Sequence, residues 1–203
     1  MKIQRNILFA LTFLLCVNAF SQSSADAKKV LDKTAKVVGQ RGGAAANFSI
    51  TGGDMGRTSG SIVIKGNKFK AVTPETTIWF DGKTQWAYMK STNEVNVSTP
   101  NEAKRLSMNP YAFITMYKNG YHISMKTTAA AYVVHLQAIH PARSMQEFYV
   151  TISKTFYPQQ IRMLQGKKWV TINISNFRTA SQPNSYFQFK HTDAPSAEII
   201  DLR

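Results

Sequence analysis

From Ala44 to Phe189 most of the chain is a succession of short runs in which apolar and polar residues alternate with a period of two. Phe48 and Ile50, then Ile62 and Ile64, then Tyr132, Val134 and Leu136, then Phe148, Val150 and Ile152, then Val170, Ile172 and Ile174, and lastly Phe187 and Phe189 each mark one face of such a run. A strand with one apolar face must bury it. About ten or eleven such strands, without regular strand–helix–strand alternation, make an antiparallel sheet. Eight strands closed into a barrel are filled by their own side chains, so this number leaves an interior that a helix or a ligand must occupy. The expected fold is mainly β: an unclosed antiparallel β-barrel covered by short α-helices.

The sharpest local signal lies at Thr76 to Met89, two runs of β-branched and aromatic residues joined by Asp81-Gly82. Both residues tolerate the positive φ of a tight two-residue hairpin turn. Ile78 and Phe80 share a face of one strand, and Trp86 and Tyr88 share a face of the other, so a broad aromatic surface is expected there. Glu94 to Ser98 reads as one more strand. Ile62, Ile64, Trp86, Tyr88, Val134 and Leu136 are expected to line one apolar interior.

Helical signals flank these strands. Ser23 to Asp26 opens like a capping box, and Ala27, Val30, Leu31, Thr34 and Val38 follow at helical spacing up to Gly39. Pro100 to Met108 reads as helical. Asn109-Pro110 then restarts a helix with a capping residue and a proline at the first position, ending at Asn119-Gly120. That second helix is apolar nearly all round, with Tyr111, Phe113, Ile114, Met116 and Tyr117. Such a helix is buried on both sides or sits in the mouth of a cavity. A lid is the expectation, with Phe113, Ile114, Met116 and Tyr117 making its contacts and Asn119 and Gly120 as the pivot.

The first 21 residues stand apart. Lys2 and Arg5 precede an apolar run, Ile7 to Val17, followed by Ala19-Phe20-Ser21. This is the pattern of a signal peptide, and the run is well short of the roughly twenty residues that spanning needs. The expected organisation is a leader over 1–21 and a single domain over 22–203. Cleavage removes Cys16, the only cysteine, and lowers the formal net charge from +14 to +12. An exported domain without disulfides fits a bacterial periplasm. A basic surface suits membrane headgroups or acidic partners, whereas the lysines and arginines are spread rather than clustered as nucleic-acid binding requires.

Chemistry-bearing patterns are sparse. His122, His135, His140 and His191 are scattered without metal-site spacing, no Gly-x-Ser-x-Gly elbow occurs, and the 11 acidic residues show no pairing for acid–base work. The glycines of Gly52 to Gly56 lack a following helix to cradle a phosphate. Neither catalytic residues, metal nor cofactor is expected.

The Asp81-Gly82-Lys83-Thr84 block followed by Trp86 and Tyr88, the Asn109-Pro110 helix, Tyr157-Pro158 with Ile161 and Gly166, and the closing Phe187-Gln188-Phe189 run together resemble the LolA family of periplasmic carriers of outer-membrane lipoproteins. The resemblance implies an unclosed barrel whose helices form a lid over an acyl-chain cavity. It implies as lipid-binding residues Phe48, Ile62, Ile64, Ile78, Phe80, Trp86, Tyr88, Phe113, Ile114, Met116, Tyr117, Val134 and Leu136. Implied partners are the acyl chains of lipoproteins, an inner-membrane lipoprotein-releasing transporter, and an outer-membrane receptor or membrane surface. A lipid- or lipoprotein-sensing regulatory module of the same fold is the alternative. One departure stands out: where the family carries an arginine that ties the lid shut, this chain reads Lys65-Gly66-Asn67-Lys68.

Overall fold

The computed structural model describes residues 24–39, 42–53, 56–101, 116–143 and 145–203. Among the described residues one α-helix, α1 (Ser24–Val38), precedes twelve strands: β1 (Ala44–Gly52), β2 (Arg57–Lys65), β3 (Lys68–Val72), β4 (Thr76–Phe80), β5 (Gln85–Met89), β6 (Glu94–Ser98), β7 (Tyr121–Thr127), β8 (Ala131–Ala138), β9 (Glu147–Ser153), β10 (Pro158–Gln165), β11 (Lys168–Thr179) and β12 (Glu198–Asp201). They form one sheet in the order β12-β6-β5-β4-β3-β2-β1-β11-β10-β9-β8-β7. Two antiparallel meanders are joined where β1 pairs with β11, and β12 alone runs parallel to its neighbour β6. The protein is thus an unclosed barrel, mainly β, with a helix laid over it.

The register settles which residues share a face. Phe48 pairs with Gly60 and with Ile174, Ala46 with Ile62, Ile64 with Phe69, and Phe69 with Phe80. Across the other meander Ile172 pairs with Ile161, Ile161 with Val150, Val150 with Val134, and Val134 with Met125. Directly opposed residues point the same way, so these chains trace one continuous apolar face across the sheet.

α1 covers that face, and its sequence explains how. Ala27, Val30, Leu31, Thr34 and Val38 form its buried stripe, Asp26 sits in the first turn and Lys36 in the last, where each complements the helix dipole. The Gly39 N–H closes the end on the Ala35 carbonyl at 2.8 Å. Ala27, Val30 and Leu31 pack among Met125, Val134, Leu136, Phe148, Val150, Ile152, Ile161 and Val170. Val38 reaches the other half of the face, against Ala46, Ile62, Ile64, Phe69 and Phe80. Leu31, Val134, Leu136, Phe148 and Val150 are wholly buried, so the interior beneath α1 is solid.

Two local expectations are corrected. The β4–β5 connection is a four-residue loop, Asp81 to Thr84, and not a two-residue turn. Asp81 Oδ1 accepts the N–H groups of Lys83 and Thr84 at 2.9 and 2.8 Å, and the Asp81 N–H donates to the Thr84 carbonyl at 3.2 Å. Phe187 and Phe189 do not form the closing strand: Phe187 ends the 3-10 turn Asn184–Phe187, and the last strand is β12. Of the expected helices over 100–108 and 109–118, residues 102–115 lie outside the described residues; Pro100 and Asn101 are not helical, and Met116–Lys118 is a 3-10 turn.

Candidate functional site

The covered face divides into a filled half and a half-open one. Under α1, Val134 and Leu136 are wholly buried core residues. Beyond the end of α1, Phe48, Ala71 and Ile78 are only half-buried while packing against the cluster of Ile62, Ile64, Phe69 and Phe80. This strip over β1 to β4 is a half-covered apolar surface that packs on the Val38 end of α1.

Phe48 is seated by a missing side chain. It lies across from Gly60, where a Cβ would stand 2.9 Å from the Phe48 ring and 2.0 Å from the Val72 carbonyl oxygen. Glycine at this position lets the aromatic ring and strand β3 approach together.

Trp86 and Tyr88 are elsewhere. Trp86 pairs with Trp79 and Val97, and Tyr88 with Thr77 and Val95, which places them on the opposite face from Ile78 and Phe80. There they pack with Val95, Val97, Ala194, Phe189 and Ala197 of the chain's end. Trp79 meets Phe189 edge-on at 5.4 Å, and Lys70 lies between the rings of Trp79 and Tyr186 at 5.0 and 4.8 Å. The tail is fixed by Asn93, which accepts the Tyr88 hydroxyl at 3.1 Å and donates from Nδ2 to the Ser196 carbonyl at 2.8 Å. The expected single interior holding Trp86 and Tyr88 together with Ile62 and Ile64 is therefore not the arrangement found.

Of the four expected lid contacts, Phe113 and Ile114 lie outside the described residues. Met116 packs on the α1-covered core, and Tyr117 is buried with its hydroxyl donated to Asp32 on the outer side of α1. The turn that follows is clamped by a residue the sequence did not point to. Arg143, from the β8–β9 loop, donates from Nη2 to the Asn119 carbonyl at 3.0 Å and lies 4.8 Å from the ring centre of Tyr121. Gly120 has a φ of 80°, and a Cβ there would meet the guanidinium at 2.2 Å. The Tyr121 hydroxyl donates to the Met145 carbonyl at 3.0 Å, and burial pushes its pKa above the ordinary value, with Arg143 opposing. No signal short of the β7–β8–β9 pairing could have placed Arg143 beside Asn119.

A shallow open groove of about 670 Å3 lies around β1 and β2, lined by Phe48, Gly60, Val72 and Pro74 together with Asn47, Ser49 and Asn173 among others. Among the described residues no three His, Cys, Asp or Glu side chains gather as a metal site, and no helix is long and apolar enough to cross a membrane.

A mainly antiparallel, unclosed sheet with an amphipathic helix across its apolar face defines a half-barrel protein. Residues 17–167 match the family model described as outer membrane lipoprotein carrier protein LolA, and the chain belongs to that family. An uncharacterized conserved protein from Thermus thermophilus superposes with a TM-score of 0.57 at 11% identity, covering 87% of this chain and 99% of that one. A LolA superfamily protein from Nitrosomonas europaea gives 0.45 at 12%, covering 80% and 97%. The Mycobacterium tuberculosis lipoprotein LppX gives 0.48 at 10%, covering 79% and 98%. No curated protein matches the chain.

Proposed function

We propose that this protein is a periplasmic carrier that shields the acyl chains of lipoproteins between the inner and outer membranes. In this reading an inner-membrane transporter loads it and an outer-membrane receptor or membrane surface receives the cargo. Family membership supports the cargo class, since the family is described as that of the outer membrane lipoprotein carrier protein LolA. The observation that carries the reading is the continuity of the half-buried strip at Phe48, Ala71 and Ile78 with the face that α1 covers. An acyl chain entering at the strip extends along the face only by replacing α1.

Magnitudes make that exchange feasible. Lifting Val30, Leu31 and Val38 off the sheet costs roughly 5–9 kcal/mol at about 1.5–3 kcal/mol for each side chain. Each methylene buried instead returns about 0.8 kcal/mol, so roughly six to eleven methylenes balance the helix. A lipoprotein with two or three long chains exceeds this, and a short amphiphile does not. Only the surplus appears as affinity, which keeps release possible.

Native mass spectrometry of the protein isolated from its own cell envelope tests the reading. Copurifying acylated lipoproteins are expected. Free lipid alone, or a stable complex with a regulatory membrane protein, would overturn the carrier role in favour of a sensor.

A further inference from the structure

We propose that the outward face of α1 docks this protein on an anionic phospholipid bilayer, which sets the helix that covers the apolar face against the membrane. This goes beyond the binding of acyl chains, because it concerns the side of the helix turned away from them. Opposite the buried stripe lie Lys29 and Lys36, with Lys28 and Lys33 on the flanks, all four exposed. Asp26 and Asp32 are the acids of the helix. Asp26 pairs with Lys29 at 3.2 Å, and Asp32 takes the Tyr117 hydroxyl.

The charge continues off the helix. Lys33 stands 4.7 Å from the ring centre of Phe156, Phe156 stacks on Tyr132 at 6.0 Å with an interplanar angle of 8°, and Lys154 lies 4.1 Å from the ring centre of Tyr132. Lys118 is exposed beside the buried Tyr117. An aromatic pair framed by lysines, next to a lysine-faced amphipathic helix, is suited to the headgroup layer: the cations meet phosphates and the rings sit at the polar–apolar boundary. A zwitterionic surface offers no net potential to such a patch, so an anionic one is the complementary partner.

The test uses the full exported protein and co-sedimentation with vesicles of phosphatidylglycerol and phosphatidylcholine, against vesicles of phosphatidylcholine alone. Binding is expected only to the anionic vesicles and is expected to weaken as salt rises. Each interfacial lysine contributes roughly fivefold, so the double variant Lys29→Gln/Lys36→Gln should bind about 25-fold more weakly. The double variant Lys83→Gln/Lys167→Gln removes the same charge from two exposed loops and should change binding less than about threefold. Equal loss in both pairs, or equal binding to the two kinds of vesicle, overturns the proposal. Uptake of a fluorescent fatty acid without vesicles, measured in parallel, separates the two readings. Docking lost with uptake kept defeats this proposal, and docking kept with uptake absent supports it while defeating the carrier reading.

Discussion

Gly60 and Phe48 show how much rests on single positions in the candidate strip. A methyl group on Gly60 would meet the Val72 carbonyl at 2.0 Å, backbone that cannot swing aside. Gly60→Ala should therefore cost about 1–3 kcal/mol, read as a lower urea midpoint with an unchanged slope, and an unchanged midpoint would show that β3 yields. Tyr121 carries the clearest pH prediction. Its folded pKa is raised above 10.0, chiefly by burial, so the unfolded chain ionises first. Stability is full below the ordinary value and falls as pH rises from there through the folded pKa. Tyr121→Phe should flatten that alkaline decline in thermal melts between pH 8 and 11, at a cost near neutrality of about 1 kcal/mol for the lost bond to Met145. The faces of Trp86 and Tyr88 were open to the same kind of reasoning. An even-numbered loop, of two residues or four, sets even positions of β4 against odd positions of β5, so Ile78 and Phe80 share their side with Gln85 and Ala87. This parity follows from the loop length alone, whatever the aromatic content of the hairpin.

Among the elements, α1 was legible almost to the residue because its cap, its 3.6 period and its terminal glycine agree. Strands β8 and β9 were legible because each has one wholly apolar face. β12 was not, since Glu198–Asp201 is short, has mostly exposed side chains, and is held by parallel pairing to β6, far away in sequence. The clamp at Asn119 escaped for the same reason: Arg143 reaches it across 24 positions. Its prediction belongs at this scale. Arg143→Ala removes a charged hydrogen bond of about 1.5–3 kcal/mol that holds the turn after Tyr117. Amide exchange at Tyr117 to Gly120 should quicken, and uptake of a fluorescent fatty acid should quicken with it, while exchange in β8 and β9 stays slow. Unchanged exchange at the turn would mean that Tyr117 and Asp32 hold the segment without help.

At the scale of the molecule, a twelve-stranded sheet left open must cover its apolar face with something that can also leave it. Among the described residues α1 contributes three large side chains to that cover, few enough for acyl chains to replace them. The other face is occupied by the chain's own tail on β4 to β6 and, farther along, by His135 stacked on Tyr149 with Trp169 tilted against it. The two faces are thus chemically distinct, and the carrier reading requires cargo on only one of them. The most direct measurement is site-specific photocrosslinking to an acylated lipoprotein, with a photoreactive phenylalanine analogue placed at Ile78 on the half-open strip or at Trp86 on the tail-covered face. The account predicts an adduct from position 78 that carries the acyl group, and none from position 86. Adducts from position 86 alone would contradict it.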